Sequence, residues 1–283
     1  MACQLRKQEA KIRHFDDEDR KKQYMEKIRR RFDQPKEEDC VPSISTELKK
    51  FYCSFWGVPM EDFSQINREY DQLMLDLEDS LEEKIRHSDD PLETALLYAR
   101  IGNYIDFAAL SDVNSDTVLA LLEEDNKDPL DTQEYLHFRK DLDSASRLVY
   151  LTDNCGEVVL DKLIIKILKE LYPELDITVI VRGFPAINDA TFEDARDIGL
   201  TEITRVIGNG NDVGGTWLPH ISDEAREMLE TADLIISKGQ GNYETLHDCG
   251  LNIYYLFLCK CEWFQYQFKA RPLQGMFINE RRI

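Results

Sequence analysis

A chain of 283 residues is long enough for one large α/β domain or two smaller ones, and it can bury a core without disulfides or a structural metal. Lys and Arg number 35 against 55 Asp and Glu, a net charge of −20, which argues against neutralising a phosphodiester backbone; no nucleic-acid partner is expected. No apolar run approaches the about 20 residues that span a bilayer, and MACQLRKQEAK has no apolar h-region, so no membrane partner is expected and the chain reads as cytoplasmic.

In chain order, residues 1–145 read as a helical domain and residues 146–283 as an α/β domain. Gln4–Arg31 is a long charged helix with a break near Phe15–Asp19, ended by Pro35. Ser43 is placed to cap a helix over Thr46–Phe55. Ile66, Tyr70, Leu73, Leu77, Leu81 and Ile85 recur at helical spacing over Phe63–Arg86. Pro91 opens a helix to Phe107, and Val118–Glu124 and Thr132–Asp143 follow. From Leu148 the texture changes. Strands are expected at Leu148–Leu151, Ile177–Val181, Ile203–Ile207, Leu234–Ile236, Ile253–Leu258 and Met276–Ile278. Helices are expected at Val158–Leu171, Thr191–Asp197, Asp223–Glu230 and Tyr243–Asp248. This alternation predicts a mostly parallel sheet flanked by helices on both faces.

The candidate chemistry gathers at strand ends, where ligands bind in open α/β sheets. RLVYLTDNCGE, Arg147 to Glu157, reads as strand, turn and helix start. Its Asp153 and Asn154 offer a carboxylate and an amide oxygen, donors suited to a hard divalent cation such as Mg²⁺ or Mn²⁺. The plainer alternative is an Asx turn capping the next helix. RGFPAINDAT repeats the arrangement, with Asn188 and Asp189 beyond a buried strand. Neighbouring strands would bring Asp153 and Asp189 together, and two carboxylates that close require a cation or a proton between them. SKGQGNYE, Ser237 to Glu244, places Lys238 and two glycines at another strand end, as a phosphate cradle would. GNGNDVGG, Gly208 to Gly215, is read as a rim over the site. Cys155, at a helix start that could lower its pKa, is a minor candidate nucleophile. The seven cysteines are odd in number, with one CxC at Cys259 and Cys261 and no disulfide framework. In the helical half, Asn103 and Asp106 share a helix face.

TDNCGE, RGFPAINDAT, the glycine loop and SKGQGNYETL, in this order, resemble the damage-control phosphatases, long known as domain of unknown function 89; the stand-alone microbial branch is the most similar. That branch often begins with a CxxC, of which Cys3 alone is present here. The resemblance implies a helical domain on a Rossmann-like three-layer α/β/α domain, with a divalent metal (Mg, Mn, Co or Ni) between them. It implies Asp153, Asn154 and Asp189 as metal ligands and Lys238 on the substrate phosphate. Thr191, Asn242, Asn103 and Asp106 would line the pocket, and Glu157 belongs to the motif. The implied activity is hydrolysis of phosphate monoesters of small metabolites, including sugar phosphates and damaged metabolites. The nucleophile would be either a metal-bound water or Asp153. Another branch, linked to protein carboxyl methylation, gives the alternative of an S-adenosylmethionine-dependent methyltransferase. A non-catalytic metabolite-binding protein is the third reading.

Overall fold

A computed structural model describes residues 2–102, 119–120 and 129–283. The expected pair Asn103 and Asp106, and all but two residues of the helix expected at 118–124, lie outside the described residues. The chain divides into two compact units, Met1–Glu61 and Asp62–Ile283.

The first unit holds α1 (Ala2–Lys11), α2 (Glu18–Asp33) and α3 (Val41–Trp56). The expected break is a turn ended by Asp17, whose carboxylate caps α2 by accepting from Arg20 N. Tyr24, Met25, Ile28 and Phe32 recur at helical spacing and bury against Leu48, Tyr52 and Trp56. α3 starts earlier than expected. Pro42 fits the first helical turn, where no N–H is needed, and Ser43 Oγ accepts from Cys40 N inside the helix start rather than before it.

The second unit opens with α4 (Ser64–Arg86), α5 (Pro91–Gly102) and α6 (Thr132–Ser144). The strands are β1 (Arg147–Leu151), β2 (Asp176–Val181), β3 (Arg205–Gly208), β4 (Leu234–Lys238), β5 (Ile253–Leu258) and β6 (Gly275–Asn279). Between them run α7 (Glu157–Leu171), α8 (Phe192–Asp197), α9 (Asp223–Thr231), α10 (Gly239–Leu246) and α11 (Glu262–Phe268). The sheet order is β3-β2-β1-β4-β5-β6, all parallel except β6.

Alternate strand residues enter opposite cores, as a two-residue side-chain period requires. Leu148, Tyr150, Val179, Ile236 and Tyr254 pack with α4 to α8 on one face. Val149, Leu151, Ile180, Ile235 and Tyr255 pack with α9 to α11 on the other. Each such apolar side chain, fully buried, contributes about 1.5–3 kcal/mol. The domain boundary expected between residues 145 and 146 falls inside this unit, because α4 and α5 pack directly on α7. α7 follows β1, so helices from both expected domains share one core. No helix among the described residues is long and apolar enough to cross a membrane.

Candidate active site

β1 and β2 are register neighbours, with Leu151 beside Ile180. Their following turns are then tied together by backbone. Cys155 N donates to Asn188 O at 2.8 Å, and Ala190 N donates to Asp153 O at 2.8 Å. Asn154 and Asp189 face each other across this two-turn bridge. Asp153 and Asp189 therefore come to the same sheet edge, as their positions in the sequence predict. Ile187, two residues earlier, holds φ at 58°, a strained conformation for a β-branched residue.

The cation between the two carboxylates is Arg182, the residue that follows β2. Its guanidinium bonds Asp189 through Nε and reaches Asp153 Oδ1 at 3.5 Å. Burial, then Asp189, then Glu157 push the Asp153 carboxyl well above its usual range, while Arg182 and Lys260 pull it down. Sequence reasoning missed Arg182; its signal was a charged residue closing a buried strand run.

Lys238 lies elsewhere. It is fully buried, and its ammonium donates to Ala99 O at 2.8 Å, Asp161 Oδ1 at 2.9 Å and Glu157 Oε1. An ammonium has three donors, so none remains for a phosphate. In this structure the lysine, expected on the substrate phosphate, neutralises two buried acids. Asp161 also accepts from Tyr150 Oη at 2.6 Å, and burial pushes its carboxyl up to about 6 despite the lysine. Asp161 was legible as an acid four residues beyond Glu157, on the apolar side of a helix.

Asn242 and Thr191, expected to line the pocket, are likewise engaged by protein groups. Asn242 is fully buried. It accepts from Arg182 Nη1 and Thr216 Oγ1, and it donates to Thr152 O and Lys238 O. Its amide is saturated by the protein and positions Arg182. Thr191 is the N-cap of α8, its hydroxyl and N–H both directed to Asp194. Cys155 is no activated nucleophile: it is fully buried, and desolvation followed by Asp71 and Asp194 pushes its thiol up rather than down.

The glycines of SKGQG serve close approach. α10 begins directly after β4, earlier than expected. Gly239 has φ 79°, and a Cβ there would lie 2.0 Å from Asp153 Oδ2. A Cβ on Gly241 would meet Gly214 O at 2.1 Å, so the loop over residues 208–215 packs on α10. Gly214 is beside Asp189, in keeping with the expected rim.

The donor set suits a hard divalent cation. Asn154 Nδ2 donates to Asp153 Oδ2 and Glu157 Oε2, both at 2.9 Å, which leaves its carbonyl oxygen outside any described hydrogen bond. In the bonded network, four carboxylates (Asp153, Asp189, Glu157 and Asp161) face two cations (Arg182 and Lys238). This acidic surplus among the described ion pairs suits a bound cation. A second group, Asp71, Cys155 and Asp194, brings three possible ligand atoms within 4.8 Å of one another.

Comparison with known proteins gives a consistent picture. Residues 1–271 match the damage-control phosphatase ARMT1-like domain. A damage-control phosphatase of Archaeoglobus fulgidus is 38% identical over 189 residues, which cover 64% of this chain and 62% of that protein. One from Pyrococcus horikoshii is 34% identical over 170 residues, covering 60% of this chain and 58% of the relative. In both, the matched stretch is less than two thirds of the relative's length. An uncharacterized protein of Methanocaldococcus jannaschii is 32% identical over 238 residues, 80% of this chain and 75% of that protein. The crystal structure of a DUF89 family protein from Pyrococcus horikoshii superposes with a TM-score of 0.78 at 25% identity, covering 99% of this chain and 96% of that one. The chain is a member of the damage-control phosphatase family.

Proposed function

We propose that this chain hydrolyses phosphate monoesters of small metabolites, sugar phosphates or damaged relatives of them, with a divalent cation held by Asp153, Asn154 and Asp189. The observation that carries the reading is the meeting of Asp153 and Asp189 on one guanidinium, beside an amide oxygen outside any described hydrogen bond. When bound, the cation would polarise the phosphate and offset its charge. Arg182 would balance the phosphate oxygens that the cation does not reach, and Lys260, close enough to lower the Asp153 carboxyl, would assist it. Gly239 lets α10 start against Asp153, which brings a helix N-terminus, favourable to an anion, next to that carboxylate.

The test is phosphate release from p-nitrophenyl phosphate and a panel of sugar phosphates, with Mg²⁺, Mn²⁺, Co²⁺ or Ni²⁺ added. Asp153→Ala is expected to lower release by at least about 10²-fold, the loss typical of one preorganised electrostatic group. EDTA should silence the wild type, and added cation should restore it. Full activity in Asp153→Ala would refute the assignment.

A further inference from the structure

We infer that Glu157 is a positioning residue that decides which atom of the Asn154 amide meets the cation, and that Lys238 in turn fixes Glu157. This rests on the reading of Asn154 as a cation ligand. An amide has one donor end and one acceptor end, and a half-turn about its last torsion exchanges them. A carboxylate only accepts. Glu157 Oε2 therefore holds the Asn154 Nδ2 end at 2.9 Å and turns the carbonyl oxygen away from itself. Asp153 Oδ2 takes the other N–H at 2.9 Å, so both hydrogens are held by carboxylates. The reversed amide would set a carbonyl oxygen against two acceptors and aim N–H groups at a cation.

Glu157 has little freedom to yield. It is fully buried, and its Oε1 accepts from Lys238, whose remaining donors go to Asp161 and Ala99 O. On its other side, α5 approaches so closely that a Cβ on Gly102 would lie 2.8 Å from Glu157 Cγ. Groups behind a ligand that fix its orientation commonly change metal affinity by 10–100-fold when altered.

Glu157→Gln makes the sharpest test, because it keeps the shape. Lys238 needs an acceptor and so takes the oxygen of the substituted amide. The NH₂ of that amide then faces Asn154 and forces the Asn154 amide to reverse. Mn²⁺ binding, read from the EPR signal of free Mn²⁺, should weaken at least about 10-fold. Asn154→Asp in that background should restore binding to within about threefold of Asn154→Asp alone, since a carboxylate accepts from the new NH₂ and still presents an oxygen. Asp161→Asn removes an equal charge from the same network without touching Asn154, and it should weaken binding much less than Glu157→Gln. Equal losses in Glu157→Gln and Asp161→Asn would make the effect one of charge and overturn the inference alone. So would a Glu157→Gln protein that folds, by circular dichroism, and binds Mn²⁺ like the wild type. A wild-type chain that binds no Mn²⁺ removes the cation reading itself, and the inference with it.

Discussion

Two triads of the same composition sit a few residues apart at the carboxyl edge of one sheet. Each has one cation and two carboxylates: Arg182 with Asp153 and Asp189, Lys238 with Glu157 and Asp161. They differ in access to water. The side chains of Asp153 and Asp189 are 13% and 9% exposed, whereas those of Glu157 and Asp161 are 0% and 1% exposed. A triad that water reaches can exchange its neutralising partner for another cation. A sealed one cannot, because any interval without its partner strands a charge in a low-dielectric interior. The open triad thus suits a reaction, and the sealed one suits a scaffold.

The largest expected effect separates the two. Lys238→Met leaves Glu157 and Asp161 buried without their cation and should cost about 3–5 kcal/mol of stability. Added Mn²⁺ should not recover it. Arg182→Met removes the corresponding cation from the open triad, and there Mn²⁺ should recover most of the loss. Thermal unfolding of both variants, in EDTA and in millimolar Mn²⁺, measures the contrast. Rescue of both, or of neither, would erase the distinction drawn between the triads.

Gly239→Ala probes the wall the triads share. The backbone there is left-handed, and the new methyl would overlap the Asp153 carboxylate. Backbone strain alone contributes about 1–3 kcal/mol. Relief requires Asp153 to move, so cation binding should fall more than stability does. Urea unfolding beside Mn²⁺ titration would show this. A variant that loses stability while keeping wild-type Mn²⁺ affinity would place Asp153 outside the cation site.

What could be read from the chain follows from which interactions are local. Val158, Leu160, Leu163 and Ile167 announce α7 by spacing, and Ile177–Val181 announces β2 by its apolar run, since both patterns record burial along one segment. Asp153 and Asp189 were legible because a parallel sheet places every strand end on one edge. The partner of Lys238 was not. It lies 81 residues away in Glu157, and nothing in SKGQGNYE distinguishes a lysine that points into the core from one that points at a ligand. Arg182 was not legible for the converse reason: its pairing with Asp189 depends on the intervening turn, GFPAIND, folding back. The expected boundary at residue 145 and the division at residue 61 differ because α4 and α5 carry no local mark of packing against a helix that follows the first strand.

Asp71 supplies a third case against which to sharpen the comparison, a buried acid with a backbone N–H where the triads have a cation. On α4, it accepts from Gly156 N, and burial, with Asp194 and Asp197 nearby, pushes its carboxyl up to about 7. The sign of the consequence follows from linkage. The unfolded chain releases this proton near pH 4 and the folded chain near pH 7, so between those values the native state holds more protons than the unfolded state. Stability from this group is complete below about pH 4 and is lost as pH rises toward 7. Asp71→Asn keeps an oxygen for Gly156 N and cannot ionise. Its stability relative to wild type should therefore rise by about 2 kcal/mol between about pH 5 and pH 7. Urea midpoints at half-unit intervals give the slope. A difference that stays flat with pH would mean that Asp71 ionises in the fold as readily as in the open chain, and that burial without a cation is less costly beside this turn than the two triads imply.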